Sequence, residues 1–249
     1  MDLQLDGARV LVTGGTRGIG RAIVEAFVAE GATVEFCART ADACAAATAD
    51  LGPAVTGTAV DVADGPALTG WVSAAAERLG GLDAVVANVS ALAIGDGEEN
   101  WRASFEVDLM GTVRLATAAL PHLTESRGSI VAISSVSGRE IDFTAGPYGV
   151  MKAAIVHYVQ GLAFQLAATG VRANSVSPGN TYFEGGVWHQ IEHGQPELYA
   201  EALALNPTGR MGTPQEMARA VVFLASPVSS FTSGTNLVVD GALTRGVQF

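Results

Sequence analysis

The residues with the clearest potential for chemistry are Tyr148 and Lys152. They stand four positions apart, a spacing that puts two side chains on one face of a helix. Lys152 is the only lysine among the 14 basic residues of the chain. An ammonium group beside a phenol stabilises the phenolate, which lets the phenol exchange a proton near neutral pH. The pair therefore predicts proton transfer, and the alternative is a surface tyrosine beside a solubilising lysine.

A glycine-rich loop indicates a second site near the N-terminus. An apolar run at 8–12 leads into this loop, and an amphipathic helical pattern follows at 21–30. Glycines let the backbone turn tightly, so that a pyrophosphate can reach the free N–H groups of a helix N-terminus. The strand–turn–helix context favours a dinucleotide site over a purely structural turn. The residues expected to line the site are Gly14, Thr16, Arg17, Gly18, Ile19 and Gly20.

The end of the next apolar run, 33–37, indicates which dinucleotide is bound. An acidic residue there would bind the ribose 2′-hydroxyl of NAD, whereas an arginine would bind the 2′-phosphate of NADP. The sequence continues with Ala38, Arg39 and Thr40 and has no acidic residue at this point. Arg17 offers a second guanidinium. NADP(H) is therefore the expected cofactor, and the alternative is that both arginines are only solvated.

The rest of the chain alternates short apolar runs with helical patterns. Such alternation predicts an α/β fold in a single domain. We expect a Rossmann-type, doubly wound parallel sheet with helices on both faces. Ligands bind such sheets at the carboxyl ends of the strands. The domain is expected to span 1–249. Strands are predicted at 8–12, 33–37, 54–60, 83–88, 128–135, 171–177 and 236–239. Helices are predicted at 21–30, 41–50, 64–79, 97–122, 147–168 and 214–225.

Composition limits the possible partners and location. The net charge of −11 argues against nucleic acid and anionic membrane surfaces, because both attract basic faces. The chain has two cysteines, which suits a reducing compartment. The N-terminal segment lacks the basic region of a signal peptide. No apolar run in the sequence reaches the length of a membrane span. A cytoplasmic protein is expected. The segment 147–168 is apolar on nearly all sides, which favours a homo-oligomer.

The chain resembles the short-chain dehydrogenase/reductase family over essentially its whole length, and within it the ketoreductases, including the 3-oxoacyl-carrier-protein reductases. The motifs that carry the resemblance are the glycine loop at 13–20, Asp61-Val62, Asn88, Ser135, the Tyr148 to Lys152 spacing and Pro178-Gly179. The resemblance implies an oxidoreductase that moves a hydride between NADP(H) and a carbonyl or secondary alcohol. It also implies a homotetramer, with a homodimer as the alternative.

The resemblance also implies the roles of individual residues. Tyr148 would donate its proton to the substrate oxygen, and Ser135 would hydrogen-bond the same oxygen. Lys152 would support Tyr148 and hold the nicotinamide ribose. Asp61 and Val62 would contact the adenine.

On the nicotinamide side, the resemblance implies four further contact residues. Pro178 and Gly179 would form the turn beside the ring, and Thr181 would offer its backbone to the carboxamide. Asn88 would lie at the family's Asn-Ala-Gly motif.

Three positions depart from the family pattern. The stretch around Asn88 reads Ala-Asn-Val-Ser, Asp108 replaces the asparagine that usually joins the catalytic set, and Phe183 stands where relatives often carry a threonine. Asp108 is included with Ser135, Tyr148 and Lys152 among the candidate catalytic residues. The departures leave open an alternative, a protein that binds NADPH with weak or no turnover and acts as a sensor or scaffold.

The segment 181–205 is expected to form a lid over the substrate. It is rich in aromatic and aliphatic residues and has no lysine or arginine. This composition suits an apolar or aromatic ketone or a 3-oxoacyl group as substrate. The alternative is that these residues only pack the lid against the body of the protein.

His189, Glu192 and His193 match the spacing of some zinc peptidases. A catalytic zinc needs a third ligand, so no metal is expected.

Overall fold

The predicted strands form one parallel sheet in a computed structural model that describes residues 2–247. The strands are β1 (Arg9–Thr13), β2 (Thr33–Ala38), β3 (Val55–Ala59), β4 (Ala84–Ala87), β5 (Ser129–Ile133), β6 (Arg172–Pro178) and β7 (Asn236–Val239). Their order is β3-β2-β1-β4-β5-β6-β7. Because the order reverses between β1 and β4, the connections diverge there and leave a crevice at the carboxyl ends of these strands. The predicted fold class is confirmed.

Helices cover both faces of the sheet. They are α1 (Gly18–Ala29), α2 (Ala41–Leu51), α3 (Gly65–Leu79), α4 (Glu98–Ser104), α5 (Gly111–Ser126), α6 (Pro147–Leu166), α7 (Val187–Gly194), α8 (Pro196–Ala204) and α9 (Pro214–Ala225). One apolar core lies between the sheet and α3, α5 and α6. A second lies between the opposite face and α1, α2 and α9. Both faces of the central strands β1, β4, β5 and β6 are therefore buried, which is consistent with the mostly apolar sequences of β1, β4 and β5.

Local sequence sets the ends of several helices. The Asp64 carboxylate accepts a hydrogen bond from the Ala67 amide at 3.0 Å and caps α3. At α9, Thr213 and Glu216 form a reciprocal capping box. These caps satisfy N–H groups that a helix cannot pair internally.

The predicted helix at 97–122 is interrupted in the structure. α4 and α5 are joined by a π-helical turn, Phe105–Met110, and α5 continues to Ser126. The wider turn holds one residue more per hydrogen-bonded ring than an α-helix, so it rotates the side chains that follow. Asp108 lies in this turn and is buried.

None of the helices within residues 2–247 combines the length and apolar character that crossing a membrane requires.

Candidate active site

The glycine-rich loop joins β1 to α1 and is tightly packed. A Cβ at Gly20 would lie 2.0 Å from the Gly14 carbonyl oxygen and 2.4 Å from Asn88 Nδ2, so only glycine fits there. Asn88 Nδ2 donates to the carbonyl oxygens of Thr13 at 3.0 Å and Gly14 at 3.3 Å. Asn88 therefore fastens the loop to the end of β4.

The N-terminus of α1 is suited to an anion. No side chain of the described residues caps it, and the first-turn N–H groups have no partner within a helix. The loop residues Thr16 and Ile19 are half-buried beside it. Backbone donors and the positive end of the helix dipole together favour a phosphate at this point.

The basic and acidic residues expected around the adenosine end lie at neighbouring strand ends. Arg39 and Thr40 are exposed directly after β2, and Arg17 is exposed on the glycine loop. Asp61 follows β3, is exposed, and accepts from the Ala63 amide at 2.9 Å. Val62 is buried beside it. Arg17 and Arg39 thus present two exposed guanidinium groups near the carboxyl ends of β1 and β2.

The start of α6 packs against the segment that follows β5. A Cβ at Gly138 would lie 2.7 Å from the backbone nitrogen of Ala153, so glycine permits this close approach. Ser134 Oγ donates to the Lys152 carbonyl oxygen at 2.8 Å, and Lys152 Nζ donates to the Ile133 carbonyl oxygen at 3.1 Å. These contacts hold Lys152 next to the carboxyl end of β5.

Tyr148 and Lys152 are neighbours, as their spacing predicts. Lys152 Nζ lies 5.5 Å from the centre of the Tyr148 ring. Lys152 is buried, whereas Tyr148 is half-buried at the start of α6. The ammonium therefore lies close enough to the Tyr148 ring to act on the phenol electrostatically.

Asp108 forms a buried ion pair with this lysine. Lys152 Nζ and Asp108 Oδ1 are 3.1 Å apart, and their side chains are 2% and 1% exposed. The other carboxylate oxygen, Oδ2, accepts from the Ala91 amide at 3.0 Å. The π-helical turn thus directs Asp108 between the loop after β4 and the lysine. The sequence does not predict this turn, although it singles out the residue.

Ser135 follows β5 and is bonded within its own loop. Its Oγ accepts from the Ser137 amide at 3.1 Å and lies 3.2 Å from Ser137 Oγ. Ser137 Oγ in turn donates to Asp142 Oδ2 at 2.6 Å, while Asp142 Oδ1 accepts from the amide and the hydroxyl of Thr144. The sequence reasoning missed Ser137 and Asp142. The available signal is an aspartate two residues before a threonine, which is typical of an Asx turn.

The other tyrosines are poorer proton donors. Hydrogen bonding to the Glu192 carboxylate raises the pKa of Tyr182 to about 12. Burial raises the pKa of Tyr158, and burial with the charge of Glu192 raises the pKa of Tyr199. Each therefore holds its proton more tightly than an ordinary phenol.

The two cysteines are unsuited to nucleophilic roles. Cys37 and Cys44 are free and buried. Burial raises the pKa of the Cys37 thiol to about 12 and also raises that of Cys44. Little thiolate therefore forms near neutral pH.

The expected nicotinamide-side residues lie between the ends of β6 and β7. Pro178 ends β6, and the Gly179 amide donates to the Val239 carbonyl oxygen at 3.0 Å. Thr181 is buried and its Oγ1 donates to the Gly179 carbonyl oxygen at 3.0 Å. The Thr181 hydroxyl is thus used within the turn.

The segment 181–205 contains α7 and α8 and begins against the glycine loop. A Cβ at Gly18 would lie 2.5 Å from Phe183 Cζ, so the Phe183 ring rests on this glycine. Arg17 Nη1 also donates to the Gly185 carbonyl oxygen at 3.4 Å. The segment is thereby joined to the loop by one aromatic and one polar contact.

The histidine motif at 189–193 lies in α7. The rings of His189 and His193 lie 4.4 Å apart, and the Glu192 carboxylate accepts from the Tyr182 hydroxyl. Among residues 2–247, no three His, Cys, Asp or Glu side chains are grouped so that they could hold a metal ion.

The site as a whole fits a nicotinamide dinucleotide. The glycine loop leaves no room for side chains, the N-terminus of α1 presents uncapped donors, and the Tyr148–Lys152 pair lies at the same edge of the sheet. This arrangement can bind a pyrophosphate and transfer a proton beside it.

Comparison with known proteins gives the same result. A family model described as enoyl-(acyl carrier protein) reductase matches residues 14–244. The isoepoxydon dehydrogenase patN of Penicillium expansum is 43% identical over 254 residues, covering 98% of this chain and 98% of that protein. The L-fucose dehydrogenase of Bos taurus is 36% identical over 254 residues, covering 99% and 93%. The crystal structure of gox2181 has a TM-score of 0.88 at 30% identity and covers 97% of both chains.

The matches span nearly the whole chain, and the fold and motif order agree with them. The chain therefore belongs to the short-chain dehydrogenase/reductase family of oxidoreductases, which use a nicotinamide cofactor and act on alcohols and ketones.

Proposed function

We propose that the protein is an NADP(H)-dependent oxidoreductase that interconverts a ketone and a secondary alcohol. The observation that carries the proposal is the placement of Tyr148 and buried Lys152 at the same sheet edge as the uncapped N-terminus of α1. When bound, the nicotinamide exchanges a hydride with the substrate carbon. The preference for NADP(H) is supported by Arg39 and Arg17, which are exposed at the strand end where a 2′-phosphate is recognised.

The proposed roles of the protein residues follow from their positions. Tyr148 donates its proton to the substrate oxygen during reduction and takes it back during oxidation. Lys152 stabilises the phenolate form and contributes to holding the cofactor ribose. Ser135 hydrogen-bonds the same substrate oxygen and orients it. Asp108 pairs with Lys152 and thereby limits its field at Tyr148.

The cofactor would extend from these residues across the crevice. The glycine loop (Gly14, Thr16, Arg17, Gly18, Ile19 and Gly20) would hold the pyrophosphate, and Asp61 and Val62 would contact the adenine. Arg39 and Thr40 would hold the 2′-phosphate end. Asn88, Pro178, Gly179 and Thr181 would shape the nicotinamide end.

An uncharged substrate suits the lid. Tyr182, Trp188 and Tyr199 belong to an apolar cluster there, and residues 181–205 contain no lysine or arginine. Apolar or aromatic ketones and 3-oxoacyl groups are therefore the proposed substrates.

Two free buried cysteines agree with a reducing compartment, so the cytoplasm is the proposed location.

A panel of cyclohexanone, acetophenone, 2-octanone and ethyl acetoacetate tests the proposal with NADPH and with NADH. We expect NADPH oxidation with at least one ketone and its loss in Tyr148→Phe. Exposed Arg102→Ala serves as a control for unrelated substitution. NADPH binding, measured by fluorescence, without turnover of any ketone or of the corresponding alcohols would favour the sensor or scaffold alternative. That alternative is motivated by the engagement of Lys152 with Asp108.

A further inference from the structure

Exposed apolar side chains are concentrated beside the candidate active site. Eleven large apolar side chains of residues 2–247 are exposed. Four of them lie on the loops that follow β4 and β5: Leu92, Ile94, Ile141 and Phe143. The same two loops carry Asn88 and Ser135. A single exposed apolar residue is ordinary on a protein surface, whereas a group of them beside a site indicates a binding surface.

Both loops are fixed to candidate catalytic residues. In the loop after β4, the Ala91 amide donates to Asp108 Oδ2 at 3.0 Å. In the loop after β5, Ser137 Oγ lies 3.2 Å from Ser135 Oγ and donates to Asp142 Oδ2 at 2.6 Å. The apolar side chains that adjoin Ala91 and Asp142 are therefore held in place beside the site.

The two loops also meet each other and α7. A Cβ at Gly146 would lie 3.0 Å from Asp96 Oδ1, so the end of the second loop packs against the first. The Phe143 ring packs edge-on against Trp188 of α7, with ring centres 5.6 Å apart. Trp188 is 7% exposed, whereas Phe143 is 52% exposed. Phe143 therefore continues the apolar cluster of the segment 181–205 outward onto an open surface.

The charges of this region do not favour a charged ligand. Residues 89–97, 140–146 and 181–205 contain no lysine or arginine, so these segments offer no cation to an anionic group. The carboxylates of Asp142 and Glu140 already accept hydrogen bonds from protein donors. What the surface offers a ligand is therefore apolar contact.

We propose that Leu92, Ile94 and Phe143 are specificity-determining residues that contact a long apolar substituent of the ketone. The carbonyl lies at Tyr148, and the substituent extends over the two loops, where it shields these side chains from water. This arrangement favours ketones in which one substituent is a chain of several methylene groups. The inference rests on the proposed function and adds to it the part of the protein that selects the substrate.

A series of methyl ketones tests the inference: 2-butanone, 2-hexanone and 2-octanone, each with saturating NADPH. A fully buried methylene group strengthens binding about fourfold, so a surface that covers about half of the chain should raise kcat/KM about twofold per methylene. The increase should appear in KM, because the chain is bound equally in the ground state and the transition state.

Two variants remove apolar surface from the two loops. Phe143→Ala and Ile94→Ala should each lower kcat/KM for 2-octanone about threefold to tenfold and change that for 2-butanone less than about twofold. Phe143→Leu keeps an apolar side chain and should retain most of the dependence on chain length.

Phe231→Ala is the matched control. Its ring is fully exposed and precedes β7, so it lies at the opposite end of the strands, and its removal should leave the series unchanged. The inference is wrong if turnover is confined to other ketones of the panel, or if the parent protein reduces all three methyl ketones equally well. It is also wrong if the variants lower kcat/KM for 2-butanone and 2-octanone by the same factor. If no ketone at all is reduced, the proposed function fails and the inference fails with it.

Discussion

At the scale of single residues, Arg39 decides the choice of cofactor in the proposed function. It is exposed after β2, where Ala38 and Thr40 leave the strand end without an acidic group. A guanidinium bonds a phosphate with two parallel N–H groups, and NADH has no phosphate at this position.

Arg39→Ala should therefore raise the KM for NADPH by about tenfold or more and change that for NADH little, since bonds to charged groups are strong. Steady-state kinetics with both cofactors measures this, with Arg102→Ala as the matched control on an exposed helix. An equal rise in the KM for NADPH and the KM for NADH would show that Arg39 is a structural residue.

Asp108 is the second residue whose role a single substitution can test. Its negative charge lies 3.1 Å from Lys152 Nζ in a buried pair, and a carboxylate at this distance offsets part of the lysine's field at Tyr148. Without that charge, Lys152 would stabilise a negative charge on the Tyr148 oxygen more strongly.

Asp108→Asn should move the rising limb of the alcohol-oxidation pH profile to lower pH. The measurement is log kcat against pH with saturating NADP⁺. Glu98→Gln provides the control, because it removes one carboxylate from an exposed ion pair. A profile that stays in place, or moves to higher pH, would show that Asp108 does not act electrostatically on Tyr148.

At the scale of elements, the segment 181–205, which we propose as a lid, contacts the glycine loop through Phe183. The ring rests on Gly18, and the Gly186 amide donates back to the Phe183 carbonyl oxygen at 3.0 Å, which folds the start of the lid into a tight turn. Movement of the lid therefore requires the ring to leave the loop that is proposed to hold the cofactor.

Phe183→Ala should increase the rate of NADPH dissociation by about tenfold, because removing a half-buried aromatic ring loses apolar contact worth about 1 kcal/mol or more. Stopped-flow fluorescence of NADPH displacement gives the rate, and limited proteolysis should show faster cleavage within 181–205. Phe231→Ala, at a fully exposed ring, is the control. An unchanged dissociation rate would mean that the contact does not retain the cofactor.

At the scale of the whole molecule, α6 has more apolar surface than the fold covers. Ile155 and Val159 are buried against the sheet, whereas Phe164 is 88% exposed and Val150 is 50% exposed. Exposed aromatic surface beside a covered face is typical of a subunit contact. We propose a homo-oligomer, a tetramer or a dimer, in which α6 lies at an interface.

Multi-angle light scattering at micromolar concentration should therefore give a mass that is a multiple of the 25.4 kDa chain. Phe164→Asp should shift the distribution toward the monomer, because a charge at a packed interface is costly. Ile141→Asp changes a loop residue that is 90% exposed, and it should leave the distribution of oligomers unchanged. A monomeric parent protein would contradict the proposal.

Much of this molecule is determined by patterns that are local in sequence. Continuous apolar runs are typical of strands buried on both faces, and the predicted positions of all seven strands agree with the structure to within two residues at each end. The four-residue spacing of Tyr148 and Lys152 needs only the geometry of one helix. The glycine spacing at the start of α1 is likewise local in sequence, although the side chains that pack against these glycines come from other elements.

The tertiary structure decides the contacts between side chains on different elements. The sequence identifies Asp108, but only the π-helical turn and the packing of α6 bring its carboxylate to Lys152. The Ser137–Asp142 chain and the Phe183 contact with Gly18 depend equally on how loops fold back on neighbouring elements. Hydrogen bonds and ion pairs require partners within a few tenths of an ångström, and patterns of residue type do not specify distances between separate elements.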